Sequence, residues 1–200
     1  TGQGCCSVER IYVHEAVHDA FVDHFVATVR GMQRGDPLDP GSYIGAITRA
    51  PQLQVLQAQV ADALAKGATL AIGGHVLPGP GHWFEPTVLT NVDHGMEVMR
   101  EESFGPIVGI QKVAGDDEAL RLMNDTRYGL TAGVYTKDEA KARELLARVN
   151  AGSVYWNCCD RVSPRLPWSG QGDSGVGLTL SRHGIQTFTR PKAWHLKAPA

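Results

Sequence analysis

Apolar residues recur along this chain in two rhythms, and the change from one to the other marks out its elements. Residues 7–13 (SVERIYV) read as a strand, with Val8, Ile11 and Val13 as the β-favouring members. Over residues 14–30 the spacing becomes helical. Val17, Phe21, Phe25 and Thr28 fall on one stripe, and Asp19, Asp23 and Arg30 lie opposite. The run GDPLDPGS from Gly35 is a turn cluster. Pro51 then opens a second helix, PQLQVLQAQVADALAKGA, and Gly67 suits a left-handed cap at its end.

A short strand follows at 69–72, then a loop rich in glycine and proline at 73–81. The alternation continues with a strand over 106–113, a helix over 116–124, a strand over 131–135, a helix over 138–149 and a strand over 153–157. A helix-like piece follows near Arg182, and KAWHLK (192–197) reads as a final strand. Strands alternating with helices predict an α/β fold, a layered and largely parallel sheet with flanking helices. No internal repeat or low-complexity stretch interrupts it. Neither G-x-G-x-x-G nor a P-loop follows any of the strands.

Composition narrows the function classes. Two hundred residues, 42% of them hydrophobic, can bury a core without metals or disulfides. A formal net charge of -2 and the lack of a basic run argue against nucleic acid and membrane surfaces as partners. The four cysteines form two vicinal pairs, Cys5-Cys6 and Cys158-Cys159. Reduced thiols in the cytoplasm are the expectation, because disulfide geometry strains a bridge between neighbours. The chain opens at Thr1, without methionine and inside a glycine-rich bend, which reads as a cut.

The stretch HEAVH (14–18) matches the H-E-x-x-H zinc pattern, and His24 falls at the third-ligand spacing of its longer form. Phe21, however, occupies the position of the glycine that lets such a chain turn back to the metal. If the helix runs on, six residues carry His24 about 240° around the axis from His18. The strand through Val13 also leaves His14 at a strand–helix junction. No metal site is therefore expected.

Cys5 is the better candidate for chemistry. Gly2 and Gly4 let the backbone bend tightly beside it, and a catalytic thiol needs such local freedom and donors aimed at a developing oxyanion. Burial of a small thiol at a strand edge is the alternative. Farther on, the carboxylate pair Glu101-Glu102 precedes Phe104-Gly105-Pro106 and a strand.

Taken in order, G-Q-x-C (2–5), E-E-x-F-G-P (101–106), Y-G-L-x-A-x-V-x-T-K-D (128–138) and P-W-x-G-x-x-x-S-G (167–175) resemble the aldehyde dehydrogenase superfamily, and EPTVLTNV (85–92) fits its pattern too. The resemblance covers 2–197 and implies the C-terminal part of such an enzyme. It implies a catalytic-domain-like fold over 1–180, a tail with an oligomerisation or bridging strand over 181–200, and a dinucleotide-binding domain absent from these residues. Cys5 matches the nucleophile. Glu102 matches the glutamate that binds the nicotinamide ribose, Phe104 the aromatic residue beside the nicotinamide ring, and Gln52 a ribose contact found in some members. Asn157 and Trp168 match positions near the substrate funnel, and Cys158-Cys159 reads as packing beside it.

The implied reaction oxidises a small-molecule aldehyde to a carboxylic acid with NAD or NADP, through a thiohemiacetal and a thioester on Cys5, in a homo-oligomer (dimer or tetramer). The family's general-base glutamate, its oxyanion-hole asparagine and its dinucleotide domain lie upstream of the nucleophile, so these 200 residues by themselves are expected to be inactive as a dehydrogenase. Gly172 replaces the family's usual lysine, and Gly177-Leu178-Thr179 replaces its usual G-R-E. Three alternatives remain open at this level. These are a CoA-acylating variant, a redox-free thiol acyltransferase or esterase, and a non-catalytic partner module.

Overall fold

The computed structural model describes residues 2–159 and 161–199. Thr1, where the expected cut falls, and the last tail residue, Ala200, lie outside the described residues, as does Asp160. The chain forms β1 (Arg10–His14), α1 (Glu15–Arg30), α2 (Ala50–Ala65), β2 (Thr69–Ile72), β3 (Val76–Leu77), β4 (Trp83–Phe84) and β5 (Thr87–Thr90). A 3-10 turn (Glu97–Met99) leads to β6 (Ile107–Val113), α3 (Asp116–Asn124), β7 (Thr131–Val134), α4 (Glu139–Arg148), β8 (Ser153–Trp156) and α5 (Ser181–Gln186).

Four strands make the main sheet, in the order β1-β6-β5-β2. β1 and β5 run parallel to the central β6, and β2 joins the edge antiparallel to β5. β6 reads IVGIQKV and is nearly all buried, as expected of a strand covered on both faces. Its alternation sorts the core. Val108 and Ile110 pack with Val13, Val88, Val26 and Val29 under α1, whereas Ile107 packs with Leu89, Leu56 and Met99 under α2 and the 3-10 turn. The result is helix, sheet and helix in three layers.

The alternating pattern pointed to one sheet, but β7 and β8 form a separate parallel pair, covered by α4. The first strand starts three residues later than expected because 4–7 close a turn. On α1 the buried residues are His18, Val26 and Val29, one position round from the expected stripe, and Val17 is 56% exposed. His18 tolerates burial because its Nδ1 lies 2.7 Å from Asp19 Oδ1. The strand expected over 192–197 does not form: residues 187–199 include no strand and are exposed throughout. A strand needs a partner, and among the described residues no strand pairs with this segment.

Candidate active site

Cys5 sits on a corner. The Ser7 N–H donates to Gly4 O at 3.0 Å, closing a tight turn whose two central residues are Cys5 and Cys6. Cys5 is exposed there, not buried at the strand edge, and the four cysteines form no disulfide. The turn is mounted by the two residues before it. Gln3 donates from Nε2 to Ala46 O (3.1 Å) and accepts the Thr48 N–H on Oε1 (2.9 Å), so its amide is fixed at both ends. Gly2 has φ +73°, and a Cβ built on it would lie 1.9 Å from Gly105 O. Only glycine admits that approach and that backbone. The G-Q of G-Q-x-C thus joins the Cys5 turn to F-G-P.

The adjacent glutamates separate. Glu101 pairs with Arg127 and accepts from the Tyr128 hydroxyl, and Arg127 also reaches Asp173 at 3.0 Å. Glu102 instead lines a cleft of about 540 Å³ together with Gln3, Thr48, Gln52 and Phe104. Between Glu102 and Phe104, Ser103 is fully buried. Its N–H donates to Glu9 Oε2 (3.0 Å), the Phe104 N–H donates to Glu9 Oε1 (3.3 Å), and Gln52 Nε2 donates to Ser103 O at 2.6 Å. Phe104 adopts φ +49°, an uncommon region for an aromatic residue. The residue is 37% exposed and lines the cleft. Burial pushes the Glu9 carboxyl above its ordinary range, against the lowering effect of those two N–H groups.

The cleft joins Gln3, Gln52, Glu102 and Phe104. It does not include Cys5, Asn157 or Trp168. Asn157 ends β8 with φ +52°. Its Oδ1 accepts the Thr136 N–H and its Nδ2 donates to Thr136 O, both at 2.9 Å. The backbone of Trp168 pairs with Thr179 in both directions, at 2.8 and 2.9 Å. Nearby, the Cys159 thiol is hydrogen-bonded to Tyr135 and, with partial burial, pushes that phenol up to about 12.

The zinc-like motif has other work. His14 caps α1, its Nδ1 accepting the Ala16 N–H at 3.1 Å, and Asp19 joins His18 to Lys112. Among the described residues no three metal-ligating side chains converge. Nothing in the sequence singles out Glu9. A carboxylate before a strand carries no local sign that it will meet two amides 94 and 95 positions away.

The sequence profile of the aldehyde dehydrogenase family matches residues 1–194. This chain belongs to that family. Among curated members, succinate-semialdehyde dehydrogenase [NADP(+)] 1 of Mycobacterium ulcerans (strain Agy99) is 37% identical over 191 residues, covering 96% of this chain and 42% of that protein. An aldehyde dehydrogenase of Paenarthrobacter nicotinovorans is 38% identical, with the same two coverages. The chain therefore spans less than half the length of these aldehyde dehydrogenases. Solved structures agree. Succinate-semialdehyde dehydrogenase from Burkholderia pseudomallei superposes with a TM-score of 0.90 at 35% identity, over 94% of this chain and 39% of that one. A 3,6-anhydro-L-galactose dehydrogenase in complex with NAP superposes at 0.88 with 39% identity, over 92% and 40%. The aldehyde dehydrogenase fold is thus shared over nearly the whole of this chain.

Proposed function

We propose that Cys5 is the nucleophile of an NAD(P)-dependent aldehyde dehydrogenase that oxidises a small aldehyde to its carboxylic acid. The observation that carries this reading is the contact of Gly2 with Gly105. It ties the turn that carries an exposed thiol to the loop that presents Glu102 and Phe104 to the cleft.

The donor set of that cleft suits the nicotinamide end of a dinucleotide. Phe104 offers a flat apolar face, and Glu102 makes no hydrogen bond or ion pair among the described residues, leaving its carboxylate to accept from ribose hydroxyls. Gln52 lines the cleft but already donates to Ser103 O, so it braces the loop from below. The Cys5 thiolate adds to the aldehyde carbon, forming a C–S bond and placing the electron pair on oxygen. The Cys5 N–H, at the corner of its turn, is the donor at hand for that oxyanion. When bound, NAD(P)+ supplies the acceptor for the hydride that the thiohemiacetal loses. Water then cleaves the resulting Cys5 thioester, releasing the carboxylate and the thiolate.

Relatives named for succinate semialdehyde support a small polar aldehyde as substrate. The unbridged cysteines support a reducing compartment such as the cytoplasm. Exposed Phe188, Trp194 and Leu196 in the tail support a homo-oligomer, with residues 181–200 as the bridging segment beyond a catalytic portion at 1–180. Asn157 and Trp168 belong to the substrate side of this proposal.

The test is NAD(P)H formation with an aldehyde panel, using wild type and Cys5→Ala at the length the native source produces. Loss of turnover by a factor of about 10³ or more in Cys5→Ala is expected. Turnover that persists in the variant, or Cys5-dependent ester hydrolysis with no nicotinamide-dependent oxidation, would overturn the proposal.

A further inference from the structure

The loop carrying Glu102 and Phe104 is held from beneath by two side chains, Gln52, which also lines the cleft, and Glu9, a carboxylate that does not. Glu9 follows the nucleophile turn and precedes β1, and its two carboxylate oxygens accept two consecutive N–H groups, Ser103 at 3.0 Å and Phe104 at 3.3 Å. The Ser103 carbonyl is held from the other side by Gln52 Nε2 at 2.6 Å. A residue gripped at both its N–H and its C=O and fully buried has little freedom left. Its neighbours are then turned the opposite way, toward the cleft. Phe104 also keeps a left-handed backbone that an aromatic residue adopts only when its surroundings impose it.

We propose that Glu9 is a positioning residue of the dehydrogenase, its carboxylate bridging the Ser103 and Phe104 amides so that Glu102 and Phe104 face the nicotinamide end of the dinucleotide. This rests on the dehydrogenase reading above. It adds a residue that the ordered motifs do not include, and a physical link between the two halves of the site. The segment between Cys5 and β1 reaches across, through Glu9, to set the cofactor-facing loop. Charge is part of the device, since a carboxylate accepting amide N–H groups makes stronger bonds than a neutral acceptor. Burial of that charge costs stability, a cost that a merely structural cap in this position would avoid with an uncharged side chain.

The experiment compares Glu9→Ala and Glu9→Gln with wild type. Gln keeps one acceptor oxygen and the size of the side chain, so it reports even if Ala folds poorly. The first readout needs no ligand: amide hydrogen exchange of Ser103 and Phe104 in the 200-residue chain, with the Ile110 amide of β6 as internal control. Exchange is expected to accelerate about tenfold or more in Glu9→Ala, the loss of one charge-assisted bond, and less in Glu9→Gln, with Ile110 unchanged. The second readout is made at native length. The KM for NAD(P)+ is expected to rise about tenfold in Glu9→Ala, by more than kcat falls, and to be partly restored in Glu9→Gln, with the Cys5 alkylation rate within about twofold of wild type.

Unchanged exchange at Ser103 and Phe104 overturns the clamp. Faster exchange with an unaltered KM overturns the positioning role, as does a parallel fall in Cys5 alkylation, which would place the effect on the nucleophile turn. Wild-type protein of native length that binds neither NAD+ nor NADP+ overturns the dehydrogenase reading itself, a failure already visible before any variant is made.

Discussion

Ser103 has no exposed surface, and that burial decides what its two neighbours do. With Ser103 turned inward, Glu102 and Phe104 lie in the cleft, whereas Glu101, one residue earlier, joins Arg127 outside it. Two adjacent glutamates thus end in different chemistry. The same scale governs Gly2. In Gly2→Ala the new methyl would meet Gly105 O on a backbone with φ +73°, so the turn or the loop must move. A loss of about 1–3 kcal/mol in denaturant unfolding is expected, together with a changed Cys5 alkylation rate. Glu9 also has a pH signature. Burial, aided by the nearby charge of Glu102, raises its carboxyl above the ordinary value of 4.5 in the folded protein. Ionising Glu9 therefore costs the folded state more than the unfolded chain, so stability is greatest below that value and falls as pH rises through the higher folded one. Glu9→Gln lacks this dependence. The melting temperature of the variant, measured against wild type, is expected to move in its favour between about pH 4 and about pH 7.

Among the elements, β1 does more than pair with β6. Arg10 Nη1 donates to Met99 O at 3.0 Å, and the Tyr12 hydroxyl meets His94 Nε2 at 2.7 Å, while His94 Nδ1 meets Asp125 Oδ2 at 2.7 Å. With Glu9, these contacts fasten segment 94–104 along one strand. Burial pushes the Tyr12 phenol up to about 12, so it stays a hydroxyl at neutral pH. Tyr12→Phe leaves a largely buried imidazole nitrogen without that partner. It is expected to cost about 1 kcal/mol, read as a lower midpoint in urea with an unchanged slope. From the other side, α2 supports the same loop. Leu56 is fully buried, and a Cβ on Gly105 would stand 2.7 Å from its Cδ1. Leu56→Ala opens a space directly beneath F-G-P, and a loss of about 2–5 kcal/mol is expected in the same assay.

At the level of the whole molecule, the three-layer core holds the cleft while the tail contributes little to it. Phe188 is 89% exposed and Leu196 is 80% exposed. Removing residues 190–199 is expected to shift the melting temperature of the monomer by less than about 2 °C, since little buried surface is lost. In the proposed homo-oligomer the same deletion is expected to lower the assembly size seen by light scattering. An unchanged size would show that the tail does not bridge subunits.

The chain's own residues determined much of this without a fold to consult. Helices α1 to α4 and strands β2, β6, β7 and β8 lie within a residue or two of where local periodicity puts them, because caps and apolar spacing are short-range properties. Cys5, Glu102 and Phe104 stand out from the sequence because their motifs are contiguous. Tertiary structure decided the rest. It separated β7-β8 from the main sheet, rotated the buried face of α1 by one residue and gave Asn157 to the backbone of Thr136. It also brought Glu9 under Ser103 and split Glu101 from Glu102. Each of these depends on which distant segment a side chain meets, and hydrophobic period carries no record of that partner. Glu9 looks like any surface carboxylate until β1 lies beside segment 94–104, and only the packed sheet puts it there.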